Sequence, residues 1–121
     1  MRGIPGMPAP PPDASDAAAE RIAAVYDERI VAQALERKHN IAFFAIHGPI
    51  GPGARLRRAI EALAESIFGV DKGSTRVSLD AASLSLAFDP ARVAFGAMQK
   101  ALDRKLADRR LSLLPMRIVD E

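Results

Sequence analysis

Three features of the sequence predict an α+β domain, a four-stranded antiparallel sheet with two helices on one face. A compact apolar run fills residues 41–46, two runs after residue 76 alternate apolar and polar residues, and segments 54–68 and 91–110 repeat their apolar residues at helical spacing.

Residues 41–46, Ile-Ala-Phe-Phe-Ala-Ile, favour a pleated, half-buried strand, and the run ends at the breakers Gly48-Pro49. Leu56, Ile60, Leu63 and Ile67 then recur at i, i+4, i+7 and i+11, while Arg55, Arg57, Arg58, Glu61 and Glu65 fall elsewhere. That spacing predicts an amphipathic helix that stops near Gly69 and leaves Glu61 and Glu65 on an exposed face. Val77 and Leu79 alternate with Arg76, Ser78 and Asp80, and Leu84, Leu86 and Phe88 with Ser83, Ser85 and Ala87, which predicts two strands. Only Ala81 and Ala82 separate them, so a hairpin is the economical connection, without the usual Asn-Gly turn chemistry.

Asp89-Pro90 reads as a helix opening, with Asp as cap and Pro tolerated at the first position. The buried face of that helix is Ala94, Met98, Ala101, Leu102 and Leu106, and Arg104, Lys105, Arg109 and Arg110 suit its carboxyl end. A last strand over about 111–119 closes the sheet, and Pro115, which lacks an amide donor, assigns it to an edge or a bulge. The order β-α-β-β-α-β is that of the ferredoxin-like sandwich.

Five of the nine prolines lie in the first twelve residues, which predicts a disordered, Pro-rich tail over 1–13. The composition then turns to Ala, Glu and Arg. Ile22, Val25, Tyr26, Ile30, Val31, Ala34 and Leu35 recur at roughly helical spacing, predicting one appended amphipathic helix over 14–39, capped by Asp13 or Ser15 and stopped near Asn40. The sandwich occupies 40–121.

Composition excludes several functions. Among 121 residues there is no Cys, so disulfides, thiolate nucleophiles, Cys-based zinc sites and iron–sulfur clusters are ruled out. The net charge is +2, with five cations and six acids in residues 1–40 against twelve cations and nine acids in 41–121. That excess is small beside the basic stripe of a dedicated nucleic-acid binder. No apolar run approaches the roughly 18 residues that span a bilayer. The start of the chain lacks the apolar region of a secretory signal, so a cytoplasmic location is expected without membrane insertion.

Gly69-Val70, the hairpin after it, Phe88-Asp89-Pro90 and the late pair Ala101-Leu102 together resemble the heavy-metal-associated, metallochaperone-type domain family over roughly residues 41–118. The resemblance implies a ferredoxin-like fold, no enzymatic activity and a setting in metal transport or homeostasis. Metal-carrying members of that family use Met-x-Cys-x-x-Cys in the loop entering the first helix, where two thiolates hold a soft cation. The matching segment here, residues 48–58, contains no sulfur, so no ligand carries over and the resemblance is to a degenerate member used for interaction or regulation.

The residues themselves offer two chemical ideas. Gly51 and Gly53 lead into a helix amino terminus followed by Arg55, Arg57 and Arg58, where free amides and guanidinium groups would suit a phosphate or carboxylate. His47, at the end of the first strand, is a single candidate metal ligand; His39 lies eight residues away, more than about 20 Å along an extended chain, too far to share an ion. Phe43 and Phe44 echo the aromatic strand of an RNA-recognition motif, but 83–88 lacks its basic and aromatic series, so nucleic acid is not expected. No catalytic constellation can be assembled with two histidines and no such spacing. The sequence therefore predicts a non-enzymatic interaction or regulatory module with no cofactor and no metal bound by this chain alone. Its partner, or a second copy, would meet the 14–38 helix or a sheet edge; the alternative is an anion- or nucleic-acid-binding module built on 48–58.

Overall fold

The computed structural model describes residues 20–49 and 53–119; the expected tail, the first residues of the appended helix and Gly51 lie outside the described residues. The strands are β1 (Asn40–His47), β2 (Arg76–Ser78), β3 (Ser83–Phe88) and β4 (Ser112–Val119). The helices are α1 (Glu28–Glu36), α2 (Ala54–Glu65) and α3 (Phe95–Leu106), with a 3-10 turn at Ala107–Arg109. The four strands pair antiparallel in the order β2-β3-β1-β4, the ferredoxin-like arrangement, with helical structure ahead of it.

Strand alternation divides the apolar residues between two faces. Ala42, Phe44 and Ile46 of β1 join Leu84, Leu86 and Phe88 of β3 in one cluster with Ile60 and Ala64 of α2 and Met98, Leu102 and Leu106 of α3. The Phe44 ring stacks on Phe95 at 5.9 Å between centroids. The intervening residues Ile41, Phe43 and Ala87 face the other way, onto Ile22, Tyr26 and Ala34. The appended segment thus covers the sheet face opposite α2 and α3. Among its described residues Ile22, Tyr26 and Ala34 pack within the domain, whereas Val25 stays exposed.

Four local expectations are corrected. The appended segment is not one helix over 14–39: residues 20–24 are helical, 25–27 are not, and α1 starts afresh. Asp27 causes the restart, because its carboxylate accepts a 2.9 Å bond from the Arg29 amide, which also holds that carboxyl below its ordinary value. The break turns Tyr26 inward, with its ring edge-on to Phe43 at 5.6 Å. The helix stop is Lys38 rather than Asn40. Lys38 takes φ 61° while its amide and that of His39 return to the carbonyls of Leu35 and Ala34, a Schellman closure.

Asp89-Pro90 does not open α3. The Asp89 carboxylate accepts from Ala91 within a separate turn, and α3 begins at Phe95 behind an Ala94 cap that has no side-chain acceptor. The hairpin turn is four residues, 79–82, with Ala82 at φ 50°. Pro115 sits, as its missing amide requires, on an edge strand at a register shift opposite Phe43 and Phe44.

Gly69 explains part of the sequence pattern around it. At φ +91°, a Cβ there would lie 2.3 Å from Val93 Cγ1, so only glycine permits the approach. Its carbonyl accepts the Asp89 amide at 2.8 Å, and Val70 bridges Phe88.

Candidate functional site

The two edges of the sheet are finished differently. The Ile46 amide donates to Ala82, so even-numbered residues of β1 bond towards β3 and odd-numbered ones towards β4. Through the β1–β4 register, Ser112, Leu114, Arg117 and Val119 of β4 turn their amides inward, and Leu113 and Ile118 turn theirs outward, with Pro115 between them. Among the described residues no group bonds those two outward amides. Leu114 and Ile118 also stand 50% and 41% exposed on the same strand.

At the opposite edge the outward amides are occupied. Glu61 and Glu65, one turn apart on α2, reach over β2: Glu61 Oε2 accepts from the Val77 amide at 2.9 Å and Glu65 Oε2 from the Thr75 amide at 3.0 Å. The two glutamates expected on a solvated face instead seal an edge strand, because α2 packs directly above it. Each is a charge-assisted bond to a backbone donor, the stronger class of hydrogen bond. Beyond the end of β2 the Ser74 hydroxyl takes over, accepting the Ala87 amide at 3.1 Å and donating to the Asp71 carbonyl at 2.6 Å.

A second cluster, which the sequence did not suggest, ties the N-terminal layer to this sheet. His39 Nδ1 lies 2.8 Å from Asp71 Oδ2, and His39 Nε2 lies 3.5 Å from Asp89 Oδ2. The Schellman closure of α1 aims the imidazole, and the Ala91 bond orients Asp89. Opposite nitrogens meet different carboxylates, so Asp71 and Asp89 flank the ring rather than converge with it on a common point. Among the described residues no three His, Asp or Glu side chains converge to hold a metal ion.

Tyr26 completes the attachment, donating a 2.6 Å bond to the Ser74 carbonyl. Burial holds its phenol well above the ordinary value, with Arg76 pulling weakly the other way.

The sequence-predicted residues separate. Gly53 begins α2 at φ 133° without a side-chain cap, and Arg55 and Arg109 line a surface hollow of about 340 Å³ beside it. Arg57 is directed along α2 to Glu61 at 3.9 Å, and Arg58 is exposed but does not line the hollow. His47 is exposed at the end of β1 opposite Ser112. The structure thus adds Arg109 to Arg55 and disperses the other two cations.

No family profile matches the chain, and no curated protein matches it. Among solved structures, one described as "CopZ metallochaperone" is similar at 22% identity and a TM-score of 0.47, covering 61% of this chain and 98% of that one. A likeness of that size bears on neither activity nor ligand. Among the described residues no helix is long and apolar enough to cross a membrane.

Proposed function

We propose that the chain is a non-enzymatic interaction module that receives an extended segment of a partner protein along the outer edge of β4. The observation that carries this reading is the contrast between edges: Glu61 and Glu65 occupy the outward amides at β2, whereas those of Leu113 and Ile118 have no bonding partner among the described residues and lie beside exposed Leu114 and Ile118. Strand addition uses such amides for affinity and flanking side chains for selectivity. Pro115 and the register shift divide the row, so an incoming strand pairs on two short stretches. The metal-transport setting implied by the family resemblance has no thiolate here to act through, so the reading rests on the edge alone.

Peptides selected on the purified protein from a random library, then mapped by amide chemical shifts, test the reading. It expects perturbations concentrated on 112–119 and abolished by Ile118→Lys with Leu114→Asp. Binders that map elsewhere and ignore both substitutions would overturn it.

A further inference from the structure

We infer that the groove at the carboxyl end of α2 docks an acidic segment of a partner protein carrying an aromatic or long aliphatic side chain. This surface is separate from the β4 edge and stands or falls independently of it. Phe68 is the most exposed large apolar residue among those described, at 65%. The Arg92 guanidinium lies 5.0 Å from its ring centroid, yet leaves that much of the ring in solvent. Together with Ser66, Gly69 and Lys72 they line a groove of about 450 Å³.

The charges in this groove are unevenly committed. Its two acids face into the fold: Glu65 accepts the Thr75 amide, and Asp71 is held by His39 at 2.8 Å. Its two cations, Lys72 and Arg92, are exposed and have no acidic partner within salt-bridge distance among the described residues. The partial negative charge at the end of α2 is reduced locally, because the Ser66 hydroxyl donates to the Leu63 carbonyl at 2.6 Å and its amide to Ala62. The groove therefore presents an exposed ring with Arg92 against it and Lys72 in the same lining, complementary to an apolar side chain accompanied by carboxylates.

The two backbone segments that carry the pair are also joined directly. The close approach of Gly69 to Val93 fixes the two chain segments that carry Phe68 and Arg92, and the bond from the Asp89 amide to the Gly69 carbonyl locks the same joint.

Amide chemical-shift titration of the full chain tests this with three heptapeptides: Phe-Leu flanked by five glutamates, Phe-Leu flanked by five lysines, and Ser-Ser flanked by five glutamates. The glutamate Phe-Leu peptide is expected to perturb residues 66–72 and 92, to bind on the order of tenfold more tightly than either control, and to weaken as salt rises. Phe68→Ser and Arg92→Glu, both at exposed positions, are each expected to weaken it by a similar factor, and Arg92→Glu to reverse the preference between the glutamate and lysine Phe-Leu peptides. Absence of binding at millimolar peptide, equal binding of the lysine peptide, or perturbations centred on Arg55 and Arg109 or on β4 would each overturn the assignment.

Discussion

The hydroxyl of Tyr26 donates a 2.6 Å hydrogen bond to the carbonyl of Ser74, joining the N-terminal layer to the loop that precedes β2. Because Tyr26 is the only tyrosine and the chain has no tryptophan, this bond has its own optical reporter. Burial raises the phenol above its ordinary value of about 10. A raised value means that the folded state keeps the proton where the unfolded state has lost it. The contribution is therefore fully present below about pH 10 and lost as pH rises beyond it. Phenolate absorbance should appear only together with loss of tertiary structure, and Tyr26→Phe should remove that coupling at a cost of about 1–2 kcal/mol. A phenol titrating near pH 10 in the intact fold would contradict this.

His39 is expected to matter to stability through both carboxylates, unequally. Asp71→Ala loses the 2.8 Å contact and should cost about 1.5–3 kcal/mol in urea unfolding. Asp89→Asn, which keeps an acceptor for the Ala91 amide and weakens only the 3.5 Å contact, should cost less. Equal losses, or none, would show that the cluster does not hold the layer.

Gly69→Ala must place a Cβ against Val93 at a φ of +91°. The backbone conformation alone costs about 1–3 kcal/mol for a residue with a side chain, and the clash adds to it. Denaturant midpoints compared with those of Gly73→Ala, at φ +81° with nothing within 4 Å, would separate the two contributions.

Removing the seal should convert β2 into a second open edge. The double substitution Glu61→Ala with Glu65→Ala is expected to lower stability by about 1–3 kcal/mol and to increase concentration-dependent self-association, read by sedimentation velocity. An unchanged sedimentation profile together with unchanged stability would mean that the glutamates seal nothing.

Periodicity made the sheet and its two covering helices legible, since Phe44, Ile60, Leu84 and Met98 belong to runs whose spacing is set by local geometry. Pro115 likewise announced an edge or bulge through its missing amide. The restart of the appended helix was also written locally, in Asp27-Glu28, a cap followed by an acid, but the apolar spacing across 22–35 concealed it. Asp89 misled for a related reason: its capping chemistry is real but serves the turn before α3. The long-range contacts were not legible, because each joins residues distant in sequence: His39 to Asp71 across 32 positions, Glu61 to Val77 across 16. An acid pair on a helix looks the same whether it faces water or a strand edge.

Amide hydrogen exchange at four residues tests the central claim most directly. All four amides point outward from the sheet. Thr75 and Val77, held by Glu65 and Glu61, should exchange slowly, and Leu113 and Ile118 should exchange rapidly. Glu65→Ala should release Thr75, and Glu61→Ala should release Val77. Rapid exchange at Thr75 and Val77 in the unmodified protein, or protection at Leu113 and Ile118 equal to theirs, would contradict the account of one sealed and one open edge.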